Sequence, residues 1–247
     1  MNCKTPVSQI KKNTVRTFGN AGKRFVILGV AALLATVPAL PQNPQLQEKL
    51  AGIQQVLAAN QQKLHQYQWI ESTQLTLNGD AKSPKQNSCM YGPDGQVQKT
   101  PIGAPAPPPS GGRLKQRVIE KKTEEMQQYM GEVKGVLGMY VPPDPQKMQA
   151  AYQAGKVSLN PAGGMINLVF TDYAQPGDSM TLTFDTANHK VVSLSVNTYM
   201  GQEKDAVTLQ VQMASLPDGT NYVQQSILNA TAKKLVVTTT NSNYQHL

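Results

Sequence analysis

The chain is poor in the residues that cross-link a fold and in those that do chemistry near neutral pH. In 247 residues there are two cysteines, Cys3 and Cys89, and three histidines. No cysteine pair is left once the amino-terminal segment is set aside, which excludes a disulfide framework. His65, His189 and His246 are scattered without metal-ligand spacing, and no His-Glu-x-x-His box occurs. There is no Gly-x-Ser-x-Gly elbow, no phosphate-binding glycine loop and no acidic calcium loop. Charged residues make up only 15% and aromatics 6%. No apolar run reaches the length of about 20 residues that a membrane-spanning helix needs. These absences predict a protein without metal or cofactor, and one that is not an enzyme.

The closest carboxylate pairs do not alter that expectation. Glu124 and Glu125 are neighbours on a predicted helix and point to different faces, and Glu203 and Asp205 lie in a predicted turn. General acid–base work needs a cleft that shifts a carboxyl group's affinity for protons, and nothing local supplies one.

What the chain does have begins with a basic amino terminus. Lys4, Lys11, Lys12, Arg16, Lys23 and Arg24 precede the apolar run Phe25 to Leu40 with no acid among them. A basic stretch, a short apolar stretch and the small residues around Val37-Pro38-Ala39 compose an export signal cleaved after Ala39. The alternative is an uncleaved anchor over residues 25–40. Residues 1–39 are thus read as a signal and 40–247 as one extracytoplasmic domain, periplasmic or secreted. Without the signal, 17 of the 23 basic residues remain against 15 acidic ones. The formal charge of +8 is therefore mostly the signal's, and a nucleic-acid partner is not expected.

From Pro44 to about Tyr67, Leu46, Leu50, Ile53, Val56, Leu57 and Leu64 recur at helical steps among polar residues, which predicts an amphipathic helix. The period then shortens to two. Tyr67, Trp69, Thr73, Leu75 and Leu77 alternate with polar positions up to the turn pair Asn78-Gly79. A second strand around Cys89 and a third over Gln96 to Thr100 flank a Gly-Pro-Asp-Gly turn. The strand-like surroundings of Cys89 favour burial over pairing with another chain. Pro101 to Gly112 is read as an exposed proline-rich loop, either a spacer or a ligand for another protein.

Arg113 to Gly138 is predicted to be helical, with an uneven apolar stripe that includes Met126, Tyr129, Met130, Val133 and Leu137. Gly131, Gly135 and Gly138 weaken its end, as befits a lid. Asp144-Pro145 opens a short helix that stops at Gly155. Six strands follow, at Met165–Thr171, Met180–Asp185, Lys190–Tyr199, Ala206–Met213, Tyr222–Leu228 and Lys233–Thr240. Their short connections predict an antiparallel meander with one apolar face, which the helices must cover. The fold class is α+β. Asn229-Ala230-Thr231 matches a glycosylation acceptor, which matters only in a eukaryote.

The order of elements, together with the turn segments Tyr91-Gly92-Pro93-Asp94-Gly95-Gln96-Val97-Gln98-Lys99-Thr100 and Leu216-Pro217-Asp218-Gly219, resembles the LolA-like family of periplasmic lipoprotein carriers. The resemblance runs from about Pro44 to Tyr244. It implies a curved, incomplete barrel lidded by helices and holding acyl chains. The proline-rich stretch is an insertion relative to that pattern.

Two functional readings follow. In one, an exported, non-enzymatic envelope protein binds a lipid or lipoprotein acyl chain between sheet and helices. Trp69, Met126, Met130, Phe170, Leu182, Phe184, Leu209 and Val211 would line the site, the flexible thioethers adapting to the chain. In the other, methionine is ordinary core filler, the core is dry and the domain is a structural module that captures an envelope protein.

Overall fold

The computed structural model describes residues 44–103 and 112–247. The proposed signal, its cleavage point and residues 104–111 of the proline-rich stretch lie outside the described residues. The chain runs α1 (Pro44–Leu64), β1 (Tyr67–Leu77), β2 (Asp80–Ala81), β3 (Lys85–Tyr91), β4 (Val97–Ile102), α2 (Arg113–Leu137) and α3 (Pro145–Gln153). It continues with β5 (Val157–Ala162), β6 (Met165–Thr171), β7 (Ser179–Asp185), β8 (Lys190–Tyr199), β9 (Ala206–Ser215), β10 (Asn221–Ala230) and β11 (Leu235–His246).

All eleven strands form one open, antiparallel, curved sheet in the order β4-β3-β1-β11-β10-β9-β8-β7-β6-β5, with β2 paired to β1. The meander is as expected from β6 to β11, and β5 (Val157–Ala162), which periodicity did not mark, adds an edge strand before it. Beyond β11 the sheet continues with the chain's first strand. β1 pairs along its whole length with β11, from Tyr67 opposite His246 to Leu77 opposite Leu235. Register shifts between Gln68 and Ile70, Val223 and Gln225, and Thr183 and Phe184 bend the sheet, as bulges do.

The expected loop at Pro101 to Gly112 begins too early. Pro101 and Ile102 belong to β4, where Pro101 sits opposite Asn87. β4 is an edge strand, where a proline is tolerated because one side of the strand has no partner.

Alternation assigns one sheet face to the core, and the register shows how far the apolar surface extends. Phe170, Met180, Val196, Leu209, Leu228, Val237 and Leu75 stand side by side across seven strands. The neighbouring row is Leu168, Leu182, Leu194 and Val211, and then turns polar at Ser226, Thr239 and Thr73. The opposite face carries Thr181, Ser195, Gln210 and Thr238, which suits a wet surface.

Candidate functional site

Three helices cover the apolar face. α1 contributes Leu46, Leu50 and Ile53; α3 contributes Met148, Ala151 and Tyr152; the second half of α2 contributes Tyr129 and Val133. Their residues join those of the sheet in one buried cluster. Among the residues expected to line a ligand, Phe170, Leu182, Phe184, Leu209 and Val211 are buried in this cluster. Met126 and Met130 of α2 pack against it while remaining partly exposed, as do Met139, Met200 and Met213.

Trp69 lies apart from this group. It is buried, but among other aromatic rings toward the amino-terminal end of β1. Tyr244 stacks on it at 5.5 Å and 11° between ring planes, and Tyr91 lies 5.5 Å away on the neighbouring strand. His65 stacks on Tyr91 at 4.4 Å, and Tyr222 approaches Tyr244 at 4.4 Å. Burial pushes the Tyr91 and Tyr244 hydroxyls toward the protonated form. Cys89, opposite Trp69, is buried, and the loss of hydration raises its thiol pKa. Alternation gives Trp69 a face but does not place it along the strand, and it lies outside the main buried cluster. Beside this aromatic group the inner face is polar: Glu71 pairs with Lys99 at 2.6 Å and accepts from Asn87.

Two of the covering helices are tied down by buried polar groups that the sequence did not disclose. At the carboxyl end of α1, Asn60 donates to the Asn221 carbonyl at 2.6 Å and accepts from the Asn221 amide at 2.6 Å. Asn221 in turn donates to the Val191 carbonyl, so helix, β10 and β8 are joined. α1 also reaches α3 through Gln54, which donates to the Pro145 carbonyl. α3 is capped by Asp144, whose side chain accepts from the Gln146 and Lys147 amides. The Asp144 amide donates to the Tyr173 hydroxyl.

A buried carboxylate forms the second anchor. Asp178 accepts from the backbone amides of Tyr173, Ala174 and Gln175 at 2.6 to 2.9 Å and from the Tyr140 hydroxyl. Tyr140 also meets Thr198 of β8 at 2.8 Å, and Gln175 donates to both Thr198 and the Tyr199 carbonyl. Burial first, and then the bond to Asp178, hold the Tyr140 phenol protonated well above the usual tyrosine range. This knot fixes the chain just after α2 to the β6–β7 loop. Pro176-Gly177-Asp178 is legible as a turn in the sequence, but nothing there marks its aspartate as buried. An open depression of about 210 Å³ beside this loop is lined by Lys156, Asp172, Tyr173, Ala174, Gln175 and Pro176. It shares no residue with the expected lining.

α2 is held differently. Among the described residues none of its side chains hydrogen-bonds to another element; Thr123 and Gln128 bond within the helix. Its attachments are Tyr129, Val133 and the partly buried Met126, Met130, Val136 and Leu137, with Lys233 lying 5.9 Å over the Tyr129 ring. Gly131 and Gly135 have open space where a Cβ would stand, so close packing does not require either. α2 is thus followed by the Tyr140 knot and otherwise seated on apolar contacts and the Lys233–Tyr129 contact. Among the described residues, no helix is long and apolar enough to cross a membrane.

No protein-family model and no curated protein sequence matches the chain. Solved structures that are similar to it include two of known source. One is a DUF1329-family protein from Desulfovibrio piger, at 10% identity, TM-score 0.38, over 79% of this chain and 92% of that one. The other is a domain named as an outer membrane lipoprotein-sorting protein from Vibrio parahaemolyticus, at 8% identity, TM-score 0.40, over 81% and 92%. Similarity of this degree carries nothing about ligand or activity.

Proposed function

We propose that the protein is an exported, non-enzymatic carrier of the cell envelope, which binds an acyl chain of a lipid or lipoprotein between the apolar sheet face and α2. The observation that carries this reading is the unequal fastening of the covers. α1 and α3 are hydrogen-bonded to the sheet or to each other, while α2 rests on methionines and a narrow apolar stripe. Among the described residues, lifting α2 breaks no side-chain hydrogen bond to another element, only the Lys233–Tyr129 contact, and uncovers the part of the apolar cluster that Tyr129 and Val133 cover. Met126 and Met130 are then the residues that exchange protein neighbours for an acyl chain, and a flexible thioether adapts to either.

The aromatic group around Trp69 belongs to the polar end of the face. It would meet the head of a bound lipid rather than its tail. Export follows from the amino-terminal signal, and amino-terminal sequencing of the protein taken from the envelope should begin at Leu40.

The test is lipid extraction and mass spectrometry on protein recovered from its own envelope without detergent. Stoichiometric lipid, together with uptake of a fluorescent fatty acid that Met126→Gln and Met130→Gln weaken, is expected. A second reading, a dry structural module, is favoured by the full burial of Leu168, Phe170, Met180 and Val196. Protein free of lipid, indifferent to fatty acids and unfolding in one sharp transition would establish that reading instead.

A further inference from the structure

The half of α2 that does not cover the sheet begins uncapped and rich in bases. The helix begins after Gly112 with no side-chain cap and no acid in its first turn. Its first ten residues hold five bases, Arg113, Lys115, Arg117, Lys121 and Lys122, against one acid, Glu120. Positive charge near a helix amino terminus opposes the helix dipole. Arg117 and Lys121 stand four apart, as do Glu120 and Glu124, and repel, while Glu120, Glu124 and Glu125 stand three or four residues from these bases and offset that repulsion. Among the described residues, Arg117, Lys121 and Lys122 make no ion pair. The excess of bases at this end opposes the helix dipole and is left exposed at Arg117, Lys121 and Lys122, which directs attention to a partner.

The chemistry of that partner is legible from the face. Val118 is 55% exposed, and Lys121 and Lys122, three and four residues on, flank it on one side of the helix, with Arg117 beside Lys121. All three bases are exposed, and Glu125 ends the basic face one turn further along. An apolar residue ringed by long cationic side chains suits an interface that is anionic at its surface and apolar just beneath. We infer that the amino-terminal half of α2 docks on an anionic lipid surface. This deepens the carrier reading by naming where cargo is collected: the helix that docks is the helix that must lift. An acidic protein surface would satisfy the cations but leave Val118 without a counterpart.

The experiment uses the full chain in its soluble form, with vesicles of phosphatidylcholine alone or mixed with phosphatidylglycerol. Cosedimentation is expected only with the mixed vesicles, and added salt should weaken it. The triple reversal Arg117→Glu, Lys121→Glu, Lys122→Glu should bind at least ~10-fold less, because each base near such a surface contributes appreciably to binding. Val118→Gln should lose several-fold with its charges intact. These residues are exposed, so an unchanged melting temperature will show that the variants still fold.

Equal binding to both vesicles, equal binding of the triple variant, or capture of an acidic protein with no vesicle binding would each overturn the inference. The two readings fail separately. A protein that docks but takes up no fluorescent fatty acid refutes the carrier and leaves docking standing. One that takes up the fatty acid and ignores anionic vesicles refutes docking alone.

Discussion

α1 and α2 both contribute to covering the sheet, yet their attachments differ in kind. α1 buries Leu46, Leu50 and Ile53 and then locks its end with the reciprocal Asn60–Asn221 pair, whose bonds are 2.6 Å long. α2 is longer, buries Tyr129 and Val133, and relies on the Asp178–Tyr140 knot beyond its carboxyl end. Apolar contact is non-directional and tolerates sliding, whereas a buried hydrogen-bond pair must be broken before it can move. The same sheet therefore has one cover locked by hydrogen bonds and one seated on apolar contacts beside a pinned end.

The largest expected effect comes from removing the pin. Asp178→Ala leaves three backbone amides and the Tyr140 hydroxyl without their acceptor in a buried place. It should cost about 3 kcal/mol or more, by chemical denaturation. A smaller loss would mean that water reaches the knot and that α2 is no better fixed at its end than at its start.

The same knot sets a pH dependence. The Tyr140 phenol is held protonated in the fold and titrates near pH ~10 in the unfolded chain. A raised acid of this kind contributes stability that is complete below that value and is lost as pH rises through the folded value. Unfolding should therefore become easier above pH ~10. Tyr140→Phe should flatten this alkaline decline while lowering stability at neutral pH, and an unchanged decline would move its cause to Tyr244.

Asn60→Ala tests the other cover. It leaves the Asn221 amide and carbonyl unpaired at a buried site and should cost about 1 to 2 kcal/mol. If α2 rather than α1 opens, uptake of a fluorescent fatty acid should keep its rate. A faster uptake would show that both helices open.

The sequence disclosed these elements unevenly. Helix and strand periods mark α1, β1 and the strands from β6 to β11 closely, because their burial is one-sided. Periodicity is local, however, and the pairing of β1 with β11 joins residues such as Leu75 and Val237 that lie far apart in the chain. No spacing encodes that contact. For the same reason Trp69 could be given a face but not a set of neighbours: its ring partner Tyr244 comes from the last strand, past a bulge at Asn243, whose φ is 54°. Five of the expected lining residues came together because alternation within β6, β7 and β9 places them there. The polar anchors escaped because Asp178 and Asn221 sit in or beside turns, where aspartate and asparagine are common whatever their burial.

The smallest effect is the most specific to α2. Gly131 and Gly135 lie in α2 with open space at the Cβ position. Alanine at either one should raise stability by about 0.5 to 1 kcal/mol, since glycine is a poor helix former and no neighbour resists the added methyl group. The more informative readout is the rate of ligand exchange. If α2 opens by unwinding around its glycines, each alanine slows both uptake and release while leaving the affinity nearly unchanged. If α2 lifts as a rigid rod about Tyr140, stability rises and neither rate moves. Stopped-flow exchange of a fluorescent fatty acid in Gly131→Ala and Gly135→Ala separates the two, because only unwinding places the glycines in the path of the motion.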